Sequence, residues 1–365
     1  MSLLVVNAGS SSLKLRLLDD RDHVVNRADL PAGPGGFDRE DLAEALSGWE
    51  RPDAVGHRIV HGGQSFSGPV RVDEAVRGEL DALTDLAPLH QPKSLAALDA
   101  VTALLPGTDA VACFDTAFHT TIPPEAATYA VPLEWRERYG IRRYGFHGLS
   151  HAYSSRRAAQ MVERPPEGLR VITCHLGAGA SLAAVVHGRS VDTTMGFTPL
   201  EGLVMATRSG SVDPGLVLWL LEHEHLSTHE VATALEERSG LTALAGTGDM
   251  RVVEEAADRG EPDAQLALDV YVHRLASGIA SMAAATGGLD VLAFTGGVGE
   301  RSPLVRRRVA ERLAFIGVGV DDDLNENAND DVDISEEGAA PRTLVITARE
   351  DVQIAREVRQ LLRTG

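Results

Sequence analysis

Residues 3–18 read LLVVNAGSSSLKLRLL. An apolar run, Leu3-Leu4-Val5-Val6, stops at Asn7-Ala8-Gly9 and three serines, Ser10, Ser11 and Ser12, and apolar alternation resumes at Leu13, Leu15 and Leu17. The pattern is that of a strand, a tight polar turn and a second strand. The turn offers backbone N–H groups freed by Gly9, serine hydroxyls and the Lys14 ammonium, all suited to phosphate oxygens. It is not a Walker A loop, because G-x-x-x-x-G-K-[ST] is absent and no helical pattern follows. Taken alone, the stretch reads equally well as an ordinary serine-rich hairpin.

The second half of the chain repeats the arrangement. Val171 to Cys174 is an apolar strand, His175 to Ser181 (HLGAGAS) a glycine-rich turn, and Leu182 to Val186 and Ser190 to Thr193 continue as strands. Two halves that each begin strand, Gly/Ser turn, strand suggest an internal duplication. Facing loops of this kind could clamp the phosphates of a nucleotide between two domains. A length of 365 residues also exceeds one typical core, which favours two domains.

Bulk composition narrows the class. The chain is 44% apolar and 24% charged, as expected of a soluble globular protein. A net charge of −19 argues against a nucleic-acid-binding surface and against anionic membranes, so an anionic substrate has to be captured by local cations. No apolar run reaches the length of a membrane span and no signal-peptide pattern opens the sequence, so a cytoplasmic location is the expectation. Cys113 and Cys174 both sit in apolar runs and read as buried small residues. Lys14 and Lys93 are the two lysines among 34 basic residues, so a lysine in the serine turn is a pointed choice in an arginine-using chain.

Between the two hairpins, residues 54–63 (AVGHRIVHGG) read as a strand that breaks at a glycine pair, with Arg58 inside it. That arginine either snorkels from a sheet edge or aims a cation into a cleft. Helical patterns at 39–49, 73–86 and 94–105 are followed by a strand at 110–114 that ends in Asp115, an active-site position in α/β folds and equally a common helix N-cap. Residues 139–153 (YGIRRYGFHGLSHAY) place His147 and His151 four apart, but the glutamate of a zincin is missing and no further ligand set accompanies them. A helix is expected from there to about 162, then a linker at 163–168 (ERPPEG). Beyond the loop 196–214, which holds Arg208, come helices at 215–224, 228–238, 250–259 and 262–286. A strand at 291–294 follows with a glycine turn at 295–300, then a helix at about 303–315. Its N-terminus is a natural neighbour for a nucleotide. The acidic run 321–337 reads as a solvated loop, and a strand at 343–346 leads into a C-terminal helix.

Together these segments resemble the acetate kinase family, more fully the acetate, propionate and butyrate kinases. VVNAGSSSLK, GHRIVHGG, FDTAFHTTIP, RRYGFHGLSH, HLGAGAS, SVDTTMGFTPLEGLVMATRSGSVDP, FTGGVGERS and ITAREDVQIA occur in the family's order over residues 5–355. The resemblance implies an α/β architecture: the duplicated, ribonuclease H-like fold of actin, sugar kinases and chaperone ATPases. Each domain there has a mixed five-stranded sheet with helices on both faces, and the nucleotide cleft lies between the domains. Residues 1–155, completed by a C-terminal helix of about 351–365, are the expected N-terminal domain, and 156–350 the nucleotide-binding domain. A homodimer is implied as well.

Carried over residue by residue, Asn7 and Glu350 match the metal-associated positions, for Mg²⁺ or Mn²⁺. Ser10, Ser12 and Lys14 match the first phosphate turn. Asp115, His147 and Arg208 match the catalytic set and Arg58 the acyl-substrate site, while Val60, Leu89, Phe146 and Pro199 match its apolar pocket. The ATP/ADP segments are His175, Leu176, Gly177, Ala178 and Gly179; Asp249, Met250 and Arg251; and Gly297, Val298, Gly299, Glu300 and Arg301. Two positions depart from the family's pattern: Ala178 and Gln91 each stand where asparagine is usual. They bear on rate and nucleotide preference more than on reaction class.

The implied reaction is reversible phosphoryl transfer from ATP to acetate, giving acetyl phosphate and ADP. Bringing two anions together favours arginines with fixed forks. Arg58 is therefore expected to hold the carboxylate, and Arg208 and His147 the equatorial oxygens of the transferring group. A carboxylate acceptor is already ionised at neutral pH and needs no general base, so Asp115 is expected to orient Arg58 or a metal-bound water. One methylene is worth roughly 1–3 kcal/mol in an apolar pocket, which makes propionate a slower second substrate. The alternatives are a propionate-preferring kinase, an actin-like nucleotide-dependent scaffold, or a sugar kinase. A scaffold does not need these cations together with an acyl pocket, and a sugar kinase needs a base and a polar sugar loop.

Overall fold

A computed structural model describes residues 1–9, 12–31, 37–88 and 90–364. The opening stretch forms β1 (Leu3–Ala8) and β2 (Ser12–Leu18), joined as an antiparallel hairpin in which Asn7 pairs with Lys14. β3 (Val24–Pro31) adds antiparallel to β2, while β4 (Ala54–Ile59) and β6 (Asp109–Phe114) continue parallel on the other side of β1. A two-residue edge strand, β5 (Val70–Arg71), closes the sheet antiparallel to β6, giving the order β3-β2-β1-β4-β6-β5.

The second sheet is built the same way. β7 (Arg170–Leu176), β8 (Ala180–Val186) and β9 (Arg189–Thr193) form its antiparallel meander. β10 (Val291–Thr295) and β12 (Arg342–Val345) lie parallel to β7, and β11 (Val332–Asp333) is its antiparallel edge. The order β9-β8-β7-β10-β12-β11 reproduces that of the first sheet, strand for strand and direction for direction. This is the duplicated actin-like fold, with a short sixth strand added to each expected five.

Strand alternation decides which helix covers which face. Leu4, Val6, Leu13, Leu15 and Val55 pack against Ala97, Ala100 and Val101 of the helix Gln91–Leu104. Leu3, Val5, Ala54, Val111 and Cys113 point the other way, onto Ile354, Ala355 and Val358 of the C-terminal helix Glu350–Thr364. In the second sheet the long helix Pro262–Thr286 packs on β7, β8 and β9 through buried residues such as Leu268, Tyr271, Leu275, Ile279 and Met282, spaced at helical intervals. Cys113 and Cys174 are both buried and free, as their apolar settings suggested. Among the described residues no helix is long and apolar enough to cross a membrane.

The chain divides into two compact units. The first comprises 1–120, 146–153 and 349–365; the second comprises 121–145 and 154–348. Residues 163–168, expected to be a linker, lie inside the second unit. There Glu163, in the left-handed region at φ +51°, closes the end of the helix Gly148–Met161, with Arg164 N donating to the Ala159 carbonyl at 3.1 Å, and Pro165 and Pro166 lead on through a short 3-10 turn into β7. The glycine turn expected at 295–300 is instead a helix, Gly296–Arg301, that starts directly at the end of β10. His175 and Leu176 belong to β7, so the turn proper is Gly177 to Gly179. The acidic run 321–337 is partly ordered. It contains the helix Asp322–Glu326 and β11, with Asp333 on Arg342 and Asp331 on the Thr347 N–H. β3 and a helix at Gly240–Ala245 carry no sequence pattern strong enough to anticipate them.

Candidate active site

Parallel neighbours deliver their C-terminal ends side by side, where α/β sheets commonly place ligand sites. In the first unit Val6 of β1 pairs with His57 of β4, and Arg58 pairs with Cys113 of β6. Asn7, Arg58 and Asp115 therefore emerge together. Arg58 Nε donates to both oxygens of Asp115 at 3.1 Å, and its Nη1 reaches Asn7 Oδ1 at 3.3 Å and the Ala8 carbonyl at 3.5 Å. Asn7 Nδ2 in turn donates to Glu350 Oε2 at 2.6 Å. β4 is an interior strand, so Arg58 is a cation held within the sheet end and not one snorkelling from an edge. Asp115 is 1% exposed and uses its carboxylate on Arg58, not as a helix cap. Burial opposes the charge on Arg58, but Asp115 and Glu350 together raise its pKa. Burial pushes the Asp115 carboxyl up while Arg58 draws it down.

His147 reaches the same place through the backbone. Gly148 N donates to the Asp115 carbonyl at 2.8 Å, so close that a Cβ at 148 would run into that oxygen. His147 sits just before the helix Gly148–Met161 with φ +55°; its carbonyl accepts from His151 N at 2.9 Å, and the two ring centres stand 6.5 Å apart. His119 Nε2 lies 3.0 Å from the Phe146 carbonyl on the other side of the turn. Gly148→Ala is expected to cost roughly 1–3 kcal/mol of stability through overpacking, read as a lower urea midpoint at constant m-value. A variant as stable as the parent would mean the turn can yield.

Lys14 is exposed on β2 directly opposite Asn7. Ser12 opens β2, while Ser10 and Leu89 lie outside the described residues. Val60 and Phe146 are buried in this unit. Gln91 is fully buried and bonded at both ends of its amide: Oε1 accepts from His61 N at 3.2 Å, and Nε2 donates to the His61 and Leu80 carbonyls at 3.2 and 3.3 Å. Glutamine at this position thus fastens the backbone beside Val60.

The second unit gathers the remaining segments. The carbonyl of Ala178, exposed at the tip of the turn after β7, accepts from Ala206 N at 3.1 Å. The Ala206 carbonyl is bound by Thr242, and Gly248 packs beside the same residue, just before Asp249. Asp249 caps the helix Met250–Asp258 and pairs with the exposed guanidinium of Arg251, while Met250 is buried. Thr295 pairs with His175, which sets the helix Gly296–Arg301 next to Leu176. Gly297 and Arg301 are exposed, Val298 is half-buried and Gly299 buried. Arg208 Nη1 lies 3.5 Å from the Pro199 carbonyl, and burial lowers its pKa while Glu236 pulls it back up.

Two internal ties escaped sequence reading. Glu300 Oε1 accepts from the backbone N–H groups of Gly296 at 2.9 Å and Ala348 at 3.0 Å, so this carboxylate is already engaged by the protein. Arg306, 1% exposed, donates to the Gly299 and Glu300 carbonyls at 2.9 Å and grips Asn325 through both side-chain and backbone oxygens at 2.7 Å. It satisfies the last carbonyls of the helix Gly296–Arg301, and burial lowers its pKa to about 10. Its place in a run of three arginines gave no signal to single it out.

Residues 43–356 match the acetokinase family. The chain belongs to that family. An acetate kinase of Clavibacter sepedonicus is 44% identical over 394 residues, taking in all of this chain and 99% of the relative. The crystal structure of Porphyromonas gingivalis acetate kinase superposes with a TM-score of 0.89 at 35% identity, covering 99% of each chain. A propionate kinase from Francisella tularensis superposes equally well, with a TM-score of 0.90 at 35% identity over 98% of each chain. Family membership carries the use of ATP and a divalent metal.

The side chains present fit such a metal if it arrives with its nucleotide. The Asn7 amide and the Glu350 carboxylate supply oxygen donors within one hydrogen-bonded group. Among the described residues no three His, Cys, Asp or Glu side chains form a cage of their own. Few protein oxygens, with water and phosphate making up the rest, suit a divalent metal that arrives bound to its nucleotide.

Proposed function

We propose that the chain is an ATP:acetate phosphotransferase that reversibly forms acetyl phosphate and ADP by direct in-line transfer. The observation that carries the reading is the Arg58–Asp115 pair, an arginine fixed by a buried carboxylate at the end of the central strands, in a chain that matches acetate kinases along its whole length. A guanidinium so held offers its remaining N–H groups to a carboxylate acceptor in a set orientation. Asp115, with both oxygens on Arg58, is poorly placed to act as the base a sugar hydroxyl would require.

In this reading Arg58 holds the acceptor carboxylate, with Val60 and Phe146 against its methyl group. Asp115 keeps Arg58 in register. His147 and Arg208 stabilise charge on the transferring phosphoryl group, and the segments His175–Gly179, Asp249–Arg251 and Gly297–Arg301 hold the nucleotide. Mg²⁺ bound near Asn7 and Glu350 would neutralise the β- and γ-phosphate oxygens. Acetate is the preferred acceptor, with propionate slower by the worth of one methylene. The enzyme works as a homodimer, supported by the helix Pro214–Glu222 (PGLVLWLLE), on which Leu216, Leu218 and Trp219 stand exposed without a buried neighbour on the same helix.

The test is ADP formation from Mg-ATP with acetate, propionate or glucose as acceptor. Acetate should give the highest kcat/KM and glucose none; turnover with glucose alone would overturn the reading. Arg208→Ala should lower kcat by roughly 10² or more, the size of losing one charge-stabilising donor. An unchanged kcat would remove Arg208 from the transition state.

A further inference from the structure

We propose that Tyr129, Arg143 and Glu201 are positioning residues that fix the Pro199 segment and thereby set the acyl-acceptor preference. The inference rests on the function proposed above and extends it to residues outside the matched site positions.

Residues 194–201 (TMGFTPLE) carry Pro199 with no regular secondary structure to hold it. Three side chains supply the hold. Glu201 Oε2 accepts from the Tyr129 hydroxyl, and its Oε1 accepts from Arg143 Nη2 at 2.9 Å. The Tyr129 oxygen also accepts from Phe197 N at 3.0 Å. Arg143 Nη1 donates to the Thr194 and Met195 carbonyls at 3.3 and 3.1 Å, and its guanidinium lies 5.5 Å from the Tyr129 ring centre. The Gly196 carbonyl accepts from both Tyr144 N and Gly145 N, and a Cβ on Gly196 would overlap the Glu201 carboxylate and the Tyr129 hydroxyl. The segment is thus pinned at 194, 195, 196, 197 and 201, on either side of Pro199.

The pinned residue is the one whose carbonyl lies next to Arg208 Nη1. Moving the segment moves Pro199, the residue matched to the acyl-substrate positions, and with it the neighbour of the arginine proposed to act on the transferring group. The network is charge-assisted and partly shielded from solvent, the setting in which such bonds have most directional force. The Tyr129 phenol stays protonated, because burial and the Glu201 carboxylate both raise its pKa.

Tyr129→Phe keeps the ring under Arg143 and removes only the hydroxyl, and Glu201→Gln keeps the shape and removes the charge. Each should raise the KM for acetate about tenfold, as for loss of a charge-assisted hydrogen bond, and narrow the kcat/KM preference for acetate over propionate. The KM for ATP should not move, and the double variant should be no worse than the poorer single one, because both cut the same network. Folded variants with unchanged acetate KM and unchanged acyl preference overturn the proposal, as does a loss confined to kcat. If the unmodified protein phosphorylates neither acid, the function reading fails with it, and that result appears before any variant is made.

Discussion

Arg58→Ala is expected to lower the stability of the first unit by about 3–5 kcal/mol, the usual consequence of leaving a buried carboxylate without its cation. Asp115 is 1% exposed and both its oxygens accept from Arg58, while Glu350 is close enough to contribute to the same guanidinium's pKa. Removing Arg58 therefore leaves like charges facing one another at the ends of β1, β4 and β6. The loss should be repaired in large part by Arg58→Ala/Asp115→Asn, which removes the stranded charge along with the cation. Urea unfolding of the parent, the single and the double variant at pH 7 measures both steps. A single variant as stable as the parent would show that water reaches Asp115. The double variant should still fail to bind acetate tightly, which separates the structural role of the pair from the binding role proposed for Arg58.

Acid should destabilise the first unit through two histidines that lie on or just after β4. Burial lowers the His57 pKa to about 3 and the His61 pKa to about 4, from an ordinary 6.5. The geometry agrees: His61 Nδ1 accepts from Gly63 N at 2.8 Å, which a doubly protonated ring cannot do, and neither His57 ring nitrogen has a hydrogen-bond partner. Because the folded pKa values are depressed, the unfolded chain takes up protons first as pH falls below 6.5. Stability is therefore full above that pH and declines toward pH 3–4. Between pH 7 and pH 5 the two groups together account for about 4 kcal/mol. His57→Leu should remove about half of this pH dependence at little cost at pH 7, since the ring makes no hydrogen bond to lose. A variant with the parental pH slope would relieve His57 of the role.

The hairpin at residues 3–18 and its echo at 171–186 were legible because strand alternation and glycine-rich turns are local signals. Parallel pairing, which brings Asn7, Arg58 and Asp115 to one place, joins residues far apart in the chain, and no periodicity reports it. Where composition misled, it did so by ambiguity. Pro165-Pro166 looks alike in a linker and in a helix-to-strand turn, and Gly296-Gly297 looks alike in a loop and at a helix start. The two-residue strands β5 and β11 are too short to carry a pattern. Gln91 showed in the sequence only as a departure from the family's asparagine. Its meaning, an amide spanning the backbone of His61 and Leu80, arises only from the packing of residues 11 and 30 positions away in the chain.

The first unit is assembled from chain ends, with residues 154–348 of the second unit synthesised between them. On the ribosome, β1, β4 and β6 emerge early with Leu3, Val5, Ala54 and Val111 bare on one face, because Ile354, Ala355 and Val358 do not yet exist. The nascent chain must carry that sticky surface while the whole intervening unit is made. The order of synthesis thus favours completion of the later-encoded unit first, and makes the helix Glu350–Thr364 the piece whose arrival turns a half-covered sheet into a finished one.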